Sequence, residues 1–334
     1  AVAEAQRCLQ CHVIAPLEGR SLQEGGCDFC GACVDSCPTA AITDVATRGM
    51  AKPDRVVATI CPYCGVGCQL KLEVKDEKII RSIPDPDGVA NHGQACVKGR
   101  FGIAGFVHHP QRLTAPLIRR NGELKEASWD EALELVARKL GSYKAEEIGV
   151  IASAKCTNEE NYVIQKFARA VLGTNNVDHC ARLCHAPTVA GLVQSFGSGA
   201  MTNSIDEIGD AACILAIGTN TTESHPVIGL ELKRAVDNGA KLIVANPREI
   251  DLCRFASIWL QHNPGTDVAL LMGMMRVIVE EGLLDSAFIE ERCENFDVFR
   301  ESLKDFELDF AERVTKVSRD KIVEAARMFA TKSP

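Results

Sequence analysis

Two groups of four cysteines carry the first chemistry this sequence offers. Cys27-x2-Cys30-x2-Cys33-x3-Cys37, with Pro38 directly after, crowds four thiols into one short stretch, while Cys61-x2-Cys64-x3-Cys68 is joined by Cys96 after 27 intervening residues. A [4Fe–4S] cube needs four thiolates converging on a small volume, and both patterns can deliver them. CxxC pairs also make tetrahedral zinc sites, but zinc seldom takes four cysteines from so short a stretch. Glycines 31, 65 and 67 let backbone amides approach cluster sulfurs. At least two iron–sulfur clusters are expected, and with them a chain that carries electrons. Cys8 and Cys11 are further candidate ligands. With Cys27 and Cys30 they spell a zinc-like C-x2-C-x15-C-x2-C, which would break the run beginning at Cys27. Either residues before Ala1 complete their set, or one of the pair serves the first cluster, since in two-cluster ferredoxins the fourth cysteine of the run binds the other cluster.

A third chemistry lies in Asp178-His179-Cys180-Ala181-Arg182-Leu183-Cys184-His185. A cysteine beside a histidine is either a soft metal ligand next to a proton acceptor or two residues packed in a core. Beside two cluster motifs, the redox-metal reading is preferred. Cys156, Cys180, Cys213, Cys253 and Cys293 are read as structural thiols.

The elements that must position these groups follow from periodicity. Gln69–Asp85 alternates as a β-hairpin; Ser128 caps a helix from Trp129; then strands and helices alternate through IGVIASA, a helix near 158–172, ACILAIG, IGLELKRAVDNG, KLIVAN and a helix near 267–282. That order predicts an α/β fold with a doubly wound parallel sheet, preceded by two small cluster-binding domains. The boundaries are 1–53, ferredoxin-like; 54–110, a small β-rich [4Fe–4S] domain; and 111–334, the α/β domain, incomplete at its C-terminus. Ligands of such sheets sit beyond the carboxyl ends of the strands. There the sequence places Gly218, Thr219, Asn220, Glu223 and His225; then Asn246, Pro247 and Arg248; then Gly265, Thr266 and Asp267. Close-approach glycines, a phosphate-pairing arginine and a helix N-terminus are ingredients of a nucleotide site, although each alone is also an ordinary turn or cap.

Composition sets the class. The 334 residues are 46% hydrophobic with a net charge of −8, enough for two or three domains and opposed to nucleic acid or an anionic membrane as partner. Sixteen cysteines in so long a chain point to reduced thiols holding metal rather than to a disulfide scaffold. No stretch reads as a membrane span or an export signal, and Arg119-Arg120 lies too far inside the chain for one, so a cytoplasmic location without membrane insertion is expected. The abrupt start at Ala1 and stop at Pro334 suggest a piece of a longer chain.

The Cys61–Cys96 set followed by Val97-Lys98-Gly99, the stretch from Cys156 to His185 and the strand-end segments together resemble the catalytic subunit of molybdenum- or tungsten-dependent formate dehydrogenases, from about residue 54 onward. Residues 1–50 resemble the ferredoxin-like extension of some members. The resemblance implies a bis(molybdopterin guanine dinucleotide) holding Mo or W, with Cys184 as metal ligand and His185 beside the substrate. It implies Lys98 between cluster and pterin, and the segments 218–226, 246–248 and 264–267 on the guanine dinucleotides. Asn246 stands where many relatives have aspartate, and the family's formate-binding arginine would lie beyond Pro334. The implied reaction is reversible oxidation of formate to CO2. Electrons would pass to the Cys61 cluster, on to an N-terminal domain packed near it, and out to an iron–sulfur or flavin NAD(P)-linked partner subunit or a ferredoxin. Two alternatives share the fold: a nitrate reductase, disfavoured by a histidine directly after Cys184, and a non-catalytic electron-transfer subunit like that of respiratory NADH dehydrogenase, disfavoured by CARLCH and Lys98.

Overall fold

The computed structural model describes residues 27–39, 41–44, 49 and 52–331, so Cys8 and Cys11 lie outside it. The described residues form two compact units: those up to Gly102 together with those from Asn203 onward, and Ile103–Thr202.

In the first unit a short helix, α1 (Ala32–Ser36), follows Gly31, whose φ of 73° favours a glycine. Strands β1 (Arg55–Ile60), β2 (Gln69–Lys75) and β3 (Lys78–Pro84) pair antiparallel in sequence order. The expected hairpin is β2–β3, and its alternation buries Leu70 and Val74. Its turn places Asp76 and Glu77 at positive φ, as a tight hairpin requires. Asp54 steadies that turn by accepting from Lys75 Nζ at 2.7 Å and from the Asp76 amide at 2.9 Å, and these bonds hold its carboxyl below the ordinary range. Beyond β3, buried Asn91 accepts from the Gln69 amide at 2.8 Å and donates to the carbonyls of Gln69 and Gln94 at 3.2 and 2.7 Å. This amide thereby fixes the loop leading to Cys96. A single π-helical turn, Lys98–Gly102, follows.

The second unit begins with a hairpin of β4 (Leu117–Arg120) and β5 (Glu123–Glu126). Helix α2 (Trp129–Leu140) starts at Ser128, whose hydroxyl accepts from the Glu131 amide at 3.2 Å. Strand β6 (Val150–Ala152) runs parallel to β7 (Val177–His179), connected through α3 (Asn158–Ala170), whose start is a Thr157/Glu160 capping box. Helix α4 (Ala186–Phe196) has proline in its first turn and ends at Gly197.

The first unit resumes with β8 (Cys213–Ile217), α5 (Pro226–Asp237), β9 (Lys241–Ala245), β10 (Ile258–Leu260), α6 (Asp267–Glu280), α7 (Leu308–Thr315) and α8 (Arg319–Thr331). The three strands form a parallel sheet in the order β10-β9-β8. Alternation along β9 sends Ile243 and Ala245 into a core with Leu270, Met274, Ala311 and Ile322, and Leu242 and Val244 into another with Leu232 and Leu252. Both faces are therefore covered, which is the doubly wound arrangement the alternating elements predict. Among the described residues no helix is long and apolar enough to cross a membrane.

Candidate functional site

The second cysteine set closes around a small pocket lined by Cys61, Cys64, Cys68 and Cys96 and walled by Val66, Gly99 and Val227. The Cys61 amide donates to the Cys68 carbonyl at 2.8 Å, which folds the CxxC loop back on itself. A Cβ on Gly99 would stand 3.4 Å from Cys61 Sγ, so glycine keeps that wall close to the thiols. Burial, with the fields of Cys61, Cys64 and Cys96 added, pushes the Cys68 thiol up to about 12. Cys61 is pushed up by burial as well, against a downward pull from Lys98. Thiols this crowded and this dry resist ionising together unless a cation neutralises them, so the donor set fits a cubane cluster. No group of three or more His, Cys, Asp or Glu among the described residues is arranged around a single ion; these four thiols ring a volume.

In the first set, Cys33 is raised by burial and by the fields of Cys30 and Cys27. The Cys37 thiol is lowered, by the Ile42 backbone first and then by Thr39, which favours a thiolate there. This segment packs on the π-helical turn after Cys96. Arg100, buried, donates from Nε to the Cys30 carbonyl at 2.7 Å, and its two terminal nitrogens fork onto both carboxylate oxygens of Asp35. Lys233 adds a second tie, 2.7 Å from Asp28. Sequence reasoning missed Arg100 and Lys233.

Lys98 is half-buried and donates from Nζ to the Glu223 carbonyl at 3.3 Å. It thus joins the cluster loop to the segment after β8. His225 lies on the same side: its Nε2 is 3.7 Å from where a Gly65 Cβ would stand, and its Nδ1 is 3.0 Å from Ser224 Oγ.

The three strand-end segments lie along one edge of the parallel sheet. Gly218, at φ 60°, donates its amide to the Ala245 carbonyl at 3.1 Å. Asn246 donates to the Thr219 carbonyl at 3.2 Å and accepts from the Arg248 amide at 3.0 Å, so the first two segments are bonded to each other. Asn220 accepts from the Thr222 hydroxyl at 3.3 Å. Gln261 holds the Pro247 carbonyl at 3.1 Å, and Arg248 is exposed without an ion pair among the described residues. Gly265 has φ 79°, Thr266 donates to the Asn263 carbonyl at 2.6 Å, and Asp267 stands 3.1 Å from buried His262 at the start of α6. An edge with a free guanidinium, a glycine turn and a helix start suits a phosphate-bearing ligand.

In the second unit the two cysteines of the DHCARLCH stretch part company. Cys180 accepts from the Ala154 amide at 3.2 Å, tying β7 to the loop after β6. Cys184 is exposed, and its thiol makes no hydrogen bond among the described residues. It stands one residue before His185, the N-cap of α4.

Three family matches coincide with these features. The "4Fe-4S binding domain" covers residues 22–43, the "Molybdopterin oxidoreductase Fe4S4 domain" 54–108 and "Molybdopterin oxidoreductase" 112–326. The chain belongs to the molybdopterin oxidoreductase family, and its cofactors are [4Fe–4S] clusters and a molybdopterin carrying molybdenum or tungsten. Among curated proteins it is 50% identical over 275 residues to an "F420-dependent formate dehydrogenase 1 subunit alpha" of Methanococcus maripaludis, covering 82% of this chain and 41% of that one. It is 44% identical over 285 residues to "Formate dehydrogenase H" of Escherichia coli, covering 82% and 40%. Among solved structures, acetylene hydratase from Pelobacter acetylenicus matches with a TM-score of 0.72 at 30% identity, over 83% of this chain and 39% of that one. The chain thus spans about two fifths of the length of these relatives.

Proposed function

We propose that this chain is the cluster- and metal-binding part of a formate dehydrogenase, divided into a ferredoxin-like domain (1–53), a small [4Fe–4S] domain (54–110) and an α/β pterin domain (111–334). The observation that carries the reading is the agreement between named relatives and site chemistry: formate dehydrogenases at 44 to 50% identity, in a chain whose Cys184 thiol is exposed and without a hydrogen bond among the described residues beside His185. Identity to the hydratase is lower, at 30%, and fold alone does not fix a reaction.

Formate becomes CO2 by losing one proton and two electrons. The molybdenum or tungsten on its pterins, when bound, supplies the two-electron acceptor. Cys184, exposed and without a hydrogen bond to its thiol among the described residues, would hold that metal through its sulfur. His185 would orient formate and take up the released proton on its ring. Gly218, Thr219, Asn220, Glu223, His225, Asn246, Pro247, Arg248, Gly265, Thr266 and Asp267 would grip guanine dinucleotide portions of a bis-pterin cofactor. Lys98, close enough to act on Cys61 and bonded to the Glu223 carbonyl, would lie between the pterin and a cluster held by Cys61, Cys64, Cys68 and Cys96. Cys27, Cys30, Cys33 and Cys37 would hold the next cluster; Cys8 and Cys11 would join a further set completed by residues before Ala1, or one of them would serve this cluster while Cys37 binds another. Electrons leave to a partner subunit or a ferredoxin, in the cytoplasm.

The reading is tested with the purified, cofactor-loaded protein by adding formate or nitrate and following a redox dye. Formate-dependent dye reduction is expected. Nitrate-dependent dye oxidation, or no reaction with formate in protein replete in iron and Mo or W, would contradict it.

A further inference from the structure

The Arg100 guanidinium lies where a simple surface ion pair would not put it. Its side chain is only 6% exposed, although its carboxylate partner Asp35 is 41% exposed. The space is made by Gly31: a Cβ there would sit 2.2 Å from Arg100 Cδ and 2.6 Å from Nε, so any larger residue would push the Arg100 side chain out of its place. The backbone of Arg100 is tied in the opposite direction, its amide donating to the Cys96 carbonyl at 3.0 Å. A continuous path therefore runs from the Cys96 backbone through one hydrogen bond to Arg100, along its side chain, and through a second, Nε to the Cys30 carbonyl at 2.7 Å. Each end of the path is a cysteine of a different cluster set.

We propose that Arg100 is a positioning residue for electron transfer between the two clusters, fixing their separation and providing the bonded path from Cys96 to Cys30. The proposal rests on both cysteine sets holding clusters, and it deepens the wiring given above. In the step it serves, one electron leaves the cluster of Cys61, Cys64, Cys68 and Cys96 and one enters the cluster of the Cys27 set. No bond is made or broken and no proton moves. Lys233, tied to Asp28 at 2.7 Å, holds the same segment from α5 but reaches no cysteine backbone, so it acts as an anchor without a path.

The test compares Arg100→Lys, Arg100→Gln, Asp35→Asn and Lys233→Gln in the cofactor-loaded protein. Iron per chain is measured first. The magnetic interaction between the two clusters is then read by electron paramagnetic resonance after dithionite reduction, which needs no formate. Finally, rapid freezing after formate addition gives the rate at which each cluster is reduced. With full iron, both Arg100 variants should weaken the interaction and slow reduction of the N-terminal cluster about tenfold or more, while the Cys61 cluster is reduced at the parent rate. Asp35→Asn, which keeps the Nε bond to Cys30, should retain most of the rate, and Lys233→Gln should resemble the parent. An unchanged magnetic interaction and unchanged transfer in iron-replete Arg100 variants would overturn the proposal. So would loss of N-terminal iron from both, which would make Arg100 a residue of cluster retention. If formate itself fails to react, the dithionite measurement still decides whether Arg100 sets the coupling.

Discussion

The ammonium of Lys98 donates to the backbone carbonyl of Glu223 at 3.3 Å, joining the loop that carries Cys96 to the segment that follows β8. Because the contact is to a backbone atom, it constrains where the strand end lies whatever side chain occupies position 223. Lys98→Ala should leave iron content unchanged, since the four thiols and their cavity remain, and slow formate-driven reduction of the Cys61 cluster about tenfold or more. Stopped-flow absorbance in the cluster region measures this. Parent-like rates would remove Lys98 from the route.

The two cysteines of the DHCARLCH stretch should separate cleanly. Cys184→Ala is expected to abolish formate-dependent dye reduction with iron intact. Cys180→Ala loses the hydrogen bond from the Ala154 amide and should cost about 1 kcal/mol of stability while keeping most activity. If Cys180→Ala alone abolishes turnover, the ligand assignment is reversed.

His185→Gln keeps a hydrogen-bonding end but removes the titratable nitrogen. Turnover should fall about 100-fold or more with full metal content, and the pH profile with formate should change shape. A metal-replete variant with near-normal kcat and an unchanged profile would return His185 to a capping role on α4.

The buried thiols give a pH prediction for the iron-free form. A thiol is an acid, so raising its pKa on folding from 9.0 to about 12, as for Cys68, means the folded chain keeps a proton that the unfolded chain releases. The favourable contribution is fully present below about pH 9 and is lost as pH rises toward 12. Cys61 shifts in the same direction. Denaturant midpoints of iron-free protein should therefore drop as pH rises from about 9 toward about 12, whereas thiolates bonded to iron no longer titrate and loaded protein should drop less. Equal pH dependence in the two forms would contradict this picture of the site.

Much of the fold was legible because it rests on local periodicity. The alternation of Gln69–Lys75 and Lys78–Pro84, the Ser128 cap and the apolar runs of β8 and β9 each name their element from within a few residues. β10 is only three residues, Ile258–Leu260, and owes its place to pairing with β9, so no local signal marks it. The cysteine spacing likewise announced both thiol sets. Arg100 was silent for the opposite reason. Its partners Asp35 and Cys30 lie 65 and 70 positions away, and a lone arginine after a glycine carries no pattern until the chain has folded. The sequence already sets Cys184, followed directly by His185, apart from Cys180; the Ala154 amide that engages Cys180 is brought near only by the β6–β7 pairing and has no local signal.

The central claim is that formate electrons enter this chain's clusters. The most direct measurement is electron paramagnetic resonance of the cofactor-loaded protein frozen after addition of formate alone, compared with the same protein reduced by dithionite. Reduced-cluster signals from both cysteine sets should appear with formate, and the signal of the Cys61 set should be missing in Cys61→Ser. Cluster signals with dithionite but none with formate, in protein carrying its full complement of iron and Mo or W, would contradict the account.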